Sequence, residues 1–128
     1  MDYYNTKVVY LSFDEAISKV TEELKKEGFG ILTEIDVKET LKKKLDVNFR
    51  KYKILGACNP PFAYKALQAE GKIGTMLPCN VIVQETEEGK TEISSINPRV
   101  SMQTVKNKEL EKVASEVADK LQKVLENV

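Results

Sequence analysis

The chain has 128 residues, 41% hydrophobic and 31% charged, the size and balance of a single globular domain spanning 1–128. Its 20 Lys and Arg balance 20 Asp and Glu, so no positive surplus exists to hold nucleic acid by its phosphates. Histidine is absent, which removes Ser-His-Asp and Cys-His catalysis, histidine general bases and histidine-ligated metals.

The longest apolar run, Val8 to Leu11, is far short of the roughly 18 residues that cross a bilayer, so no membrane partner is expected. Met1 to Lys7 lacks a basic start followed by an apolar stretch, so no secretory leader is expected either. The expected location is cytoplasmic, with both cysteines reduced.

Asn5 to Leu11 reads as a strand, rich in β-branched and aromatic side chains. Ser12 and Glu15 form a capping box, and the helix it opens carries Phe13, Ile17, Val20 and Leu24 as one apolar stripe. Gly28 stops that helix. A second strand follows from Phe29 to Ile35. Asp36 and Glu39 repeat the capping signature ahead of a short Lys-rich helix with Val37, Leu41 and Leu45 on its apolar side.

Lys51 to Cys58 reads as a third strand. Asn59 is expected to cap a helix that has Pro60 at its first position and ends near Gly71. Asn80 to Glu85 and Thr91 to Ile96 form a hairpin about Glu88-Gly89, and Pro98 ends it. The last helix runs from about Asn107 to Glu126, with Leu110, Val113, Val117, Leu121, Val124 and Leu125 as its stripe. The order β-α-β-α-β-α-β-β-α predicts an α+β two-layer sandwich: a mixed five-stranded sheet with helices on one face.

One segment asks for a chemical explanation. Ile54 to Pro61 ends a strand in Cys58 directly ahead of a helix start. Ligands gather beyond the carboxyl ends of strands, helix starts attract anions, and a thiol there has its thiolate favoured. Cys58 is therefore a candidate nucleophile, redox thiol or soft metal ligand; the competing reading is a small apolar core residue. Cys79 precedes a strand within Pro78-Cys79-Asn80. The two thiols lie at opposite strand ends if the fourth strand runs parallel to the third, and meet if Gly71 to Pro78 climbs back up the sheet first. Two thiolates alone do not close a zinc site.

Other motifs carry less. Gly71 to Thr75 lacks phosphate-loop spacing, and Gly28-x-Gly30 lacks the third glycine of a dinucleotide fingerprint. Lys42-Lys43-Lys44 reads as a solvated face, and Asn97-Pro98-Arg99 as a strand-ending turn.

Three blocks, Glu27 to Asp36, Ile54 to Pro60 and Ile73 to Val81, resemble the signature blocks of the Domain of Unknown Function 302 family, in the same order and over nearly the whole chain. The resemblance implies a small cytoplasmic bacterial or archaeal domain, often stand-alone, with an α+β fold and homodimeric assembly. It places Cys58, Asn59, Pro60, Leu77, Pro78, Cys79 and Asn80 in motif blocks and implies no activity or cofactor.

The expected function is a non-enzymatic binding or interaction module acting as a homodimer; a purely architectural dimer, its hairpin edge strand pairing across a two-fold axis, is a further reading. A small ligand or metal would sit at Cys58, Asn59, Pro60, Cys79 and Asn80. The alternative is a thiol-based redox or transfer enzyme using Cys58 with Cys79.

Overall fold

The computed structural model describes residues 1–128. Strand β1 (Tyr4–Val9) leads into helix α1 (Phe13–Lys26) through the expected capping box. Glu15 N donates to Ser12 Oγ at 3.2 Å, and Ser12 N donates to Glu15 Oε1 at 3.1 Å. The helix closes in a Schellman motif, with Phe29 N donating to Leu24 O at 2.9 Å and Gly28 N to Lys25 O at 3.0 Å. Gly28 takes the left-handed conformation this requires, at φ +88°.

Strand β2 (Gly30–Asp36) passes into helix α2 (Val37–Leu45), capped by Asp36 Oδ1 accepting from Glu39 N at 3.0 Å. Strand β3 (Tyr52–Cys58) is followed by helix α3 (Pro60–Ala69), a 3-10 turn (Ile73–Met76) and strand β4 (Cys79–Glu85). Strand β5 (Thr91–Ile96), the four-residue helix α4 (Pro98–Ser101) and helix α5 (Lys108–Glu126) complete the chain.

The architecture is α+β, with the sheet order β1-β5-β4-β3-β2. All of its pairings are antiparallel, which corrects the expectation of a mixed sheet. The cause is the return segment after α3. Ten helical residues carry the chain about 15 Å away from the end of β3. Residues 70–78 then bring it back, so β4 starts where β3 stopped, with Ala57 opposite Cys79 and Tyr52 opposite Gln84.

The β4–β5 hairpin turns through Gly89 at φ +76°. It is not a sheet edge, as the sequence reading assumed: β1 pairs along the outer side of β5, and the edges are β1 and β2. The short span from Asn5 to Leu11 carries no signal for that position, because it pairs with residues some ninety places away.

Helices α1 and α5 pack on one face of the sheet. Alternate residues Leu55 and Ala57, Val81 and Val83, and Ile93 meet Val20, Leu24, Leu121 and Val124 in the main core. Fully burying each larger aliphatic contributes about 1.5–3 kcal/mol relative to leaving it in water. A second, smaller core of Ala66, Ile73, Met102, Leu110 and Ala114 joins α3, the 3-10 turn, α4 and the start of α5. Helix α2 buries none of its residues, and its apolar side joins neither core.

Candidate functional site

The antiparallel β3–β4 pair settles how the two cysteines lie. Ala57 faces Cys79 across the ladder and Gly56 faces Asn80, so Cys58 and Cys79 are near neighbours at one end of the sheet. Cys79 shares the helix-covered face with Val81 and Val83 and is buried, whereas Cys58 is half-buried. Both thiols are free. Asn80 alternates to the opposite face and is exposed, and Pro60 is exposed at the helix start.

Asn59 is 92% removed from solvent, but its side chain does not cap α3. Its Nδ2 donates instead to Glu27 O at 3.0 Å, tying the start of α3 to an orphan carbonyl at the end of α1. This corrects the sequence expectation of an Asn59 cap. The close approach depends on Gly28: a Cβ at that position would lie 3.2 Å from Asn59 Nδ2. Gly56 has a parallel role on β3. A Cβ there would fall 2.2 Å from Thr33 Oγ1 and 2.9 Å from Pro78 Cγ, so only glycine lets Pro78 lie close to the strand ahead of Cys79.

A cavity of about 290 Å³ opens beside these residues. Cys58, Asn59 and Cys79 contribute to its wall; Pro60 and Asn80 do not. The rest comes from Phe29 just ahead of β2, Leu32 of β2 and Ala57 of β3, the inner side of α3 (Phe62, Ala63, Ala66, Leu67), Leu77 and Pro78, Pro98 and Met102 at the two ends of α4, and Val113, Ala114 and Val117 of α5. Of the 17 lining residues 14 are hydrophobic and none is charged.

Phe29, Cys79 and Val117 belong to the main core, and Ala66, Met102 and Ala114 to the smaller one. The space is the gap between the two cores. Val113 and Val117 read in the sequence as part of the apolar stripe of the last helix, and nothing in a stripe says that part of it faces an opening.

The helix start is poor in donors. Pro60 and Pro61 have no amide hydrogen, and among the first three residues of α3 only Phe62 has one. The dipole end remains, but the cradle of N–H groups that holds an anion is largely missing. Nowhere in the chain do three Cys, Asp or Glu side chains gather as a metal would need.

Burial, with a smaller contribution from the neighbouring Cys58, pushes the Cys79 thiol up to about 11. Cys79 is therefore a neutral thiol at pH 7.

That shift has a consequence for stability. The folded chain holds the Cys79 proton more tightly than the unfolded chain does. The resulting stabilisation is fully present below about pH 8.5 and is lost as pH rises through about 11. Denaturant titrations of the native chain and Cys79→Ala should differ by a constant amount up to about pH 8.5. The native chain should then lose about 2–3 kcal/mol relative to the variant by pH 11. A pH-independent difference would show that Cys79 ionises freely in the fold.

Two of three comparisons with known proteins find a match to the chain. No curated protein matches it. A crystal structure of an uncharacterized conserved DUF302 protein from Bacillus stearothermophilus is similar over 99% of this chain and 98% of that one, with a TM-score of 0.93 and 29% sequence identity. A family model matches residues 4–128, and the chain belongs to the family described as domain of unknown function DUF302.

Proposed function

We propose that the domain is a non-enzymatic binding module whose small ligand occupies the cavity beside Cys58, Asn59 and Cys79. The observation that supports this reading is the cavity itself: about 290 Å³ of open space between two well-packed cores. Protein interiors seldom hold voids much larger than a water molecule, and concave, mostly apolar pockets are where small molecules bind. The wall carries no general base and no charged group, so binding is what its residues can do by themselves.

A thermal-shift screen across neutral, anionic and cationic small molecules tests this. At ten times its Kd, a ligand of the folded state stabilises by about 1.4 kcal/mol, which raises the Tm by roughly 5 °C in a chain of this size. Ala63→Leu, which fills the space from α3, should cancel the shift while its own unliganded Tm stays near that of the native chain. A flat response to every compound would overturn the proposal.

A second reading is supported by the adjacency of the thiols: Cys58 attacks a substrate, and Cys79 assists as a resolving or auxiliary thiol. Alkylation discriminates the two. The binding reading predicts slow iodoacetamide labelling of Cys58 at pH 6.5, with Cys79 untouched until unfolding. Rapid labelling of Cys58 at that pH would transfer the assignment to thiol chemistry.

We also propose that the domain acts as a homodimer. With β5 internal, the support moves to the β2 side. Ile35 on the edge strand β2, Leu45 at the end of α2 and Val47 just beyond it are exposed apolar side chains, and α2 joins neither core. Sedimentation equilibrium should give twice the chain mass at tens of micromolar. A monomer at that concentration would remove this part of the proposal.

A further inference from the structure

We infer that the ligand of this cavity is an uncharged molecule with an apolar body about the size of two fused aromatic rings and a single hydrogen-bond donor directed at Asn59 Oδ1. The inference rests on the cavity being a ligand site, and it names the chemical class.

Charge is the first constraint. None of the lining residues is ionic, and the two thiols are the only titratable groups on the wall. Cys79 is held neutral by its burial. An ionised head group drawn into such a space would lose its hydration with no ionic group on the wall to replace it; the Lys65 and Lys120 ammonium groups stand over the Phe62 ring, 5.5 and 5.9 Å from its centroid, and are not part of the wall. The helix start gives little relief, since Pro60 and Pro61 remove two of its first three donors.

Size is the second. An engineered apolar cavity of about 150 Å³ takes one benzene ring. The space here, about 290 Å³, is roughly double that. Leu32 and Leu67, both lining it, are 66% and 44% exposed and form an apolar lip through which such a body can enter.

Asn59 is the third. It is the one amide side chain on the wall and is 8% exposed. Its orientation is fixed by the bond from Nδ2 to Glu27 O and by the bare Cα of Gly28 packed against that nitrogen. No protein group donates to Oδ1, and that atom keeps contact with solvent at the edge of an apolar wall. A ligand that covers this acceptor gains from an O–H or N–H offered to it, and one lacking a donor displaces its water without replacing the bond.

Isothermal titration at pH 7 with three probes of one shape tests the class: 2-naphthol, 2-methoxynaphthalene and 2-naphthoate. The expected result is binding of 2-naphthol about five- to tenfold tighter than 2-methoxynaphthalene, with 2-naphthoate weaker than both. Asn59→Ala should bring 2-naphthol down to the level of 2-methoxynaphthalene. Because that change also removes the tie to Glu27, Ala63→Leu serves as a second variant that leaves Asn59 in place and should weaken all three probes together.

Naphthoate binding as tightly as naphthol, or equal affinities of naphthol and its methyl ether in the native chain, would overturn the class and leave a ligand site standing. So would silence from all three probes when some other compound of the thermal-shift screen binds. Silence from every compound would instead remove the ligand site itself.

Discussion

The register of β4 against β3 is the constraint from which the site follows. Because Cys79 is laid opposite Ala57, the chain between them must leave the sheet, run down α3 and climb back through residues 70–78 within one short excursion. That excursion carries its own small core, anchored by Ile73 and Ala66 against Met102, Leu110 and Ala114. The main core ends at Ala57, Cys79 and Val117. The unfilled volume is lined by residues of both cores. Two glycines secure the geometry: Gly56 lets Pro78 lie close to the strand, and Gly28 lets Asn59 reach the end of α1.

This arrangement sets what chemistry is available. Half-buried Cys58 is accessible from the cavity, while Cys79 is neutral and desolvated. A resolving thiol should be able to ionise, and Cys79 is pushed away from doing so near neutral pH. The one amide on the wall spends its donor on the backbone and keeps its acceptor free. An apolar enclosure with one oriented acceptor selects by shape and by a single hydrogen bond.

Much of the fold was legible in the sequence. The capping box at Ser12, the cap at Asp36, the stop at Gly28 and the stripes of α1 and α5 are local signals, and local backbone chemistry decides them. The direction of β4 was not legible. It depends on how residues 70–78 run, and that segment is neither periodic nor rich in β-formers. The position of β1 beside β5 is a long-range pairing with no local trace. Asn59 illustrates a finer failure: its type suits a helix cap, but a tertiary acceptor, Glu27 O, took its donor. The donor-poor helix start, by contrast, was readable from Pro60-Pro61 alone, and it weakens the anion reading that Cys58 and the helix end suggested. Three of the five candidate site residues share the cavity, and the two that do not, Pro60 and Asn80, are separated from it by strand alternation or by the first turn of α3.

The central claim is that real, enterable apolar space lies between the two cores. Xenon tests that directly, since it occupies dry cavities by dispersion alone and needs no knowledge of the natural ligand. In a crystal held under xenon pressure, the account predicts a strong electron-density peak in contact with Phe62, Ala63 and Cys79. Side chains of α3 and α5 meeting across that position, or xenon bound elsewhere with none there, would contradict it.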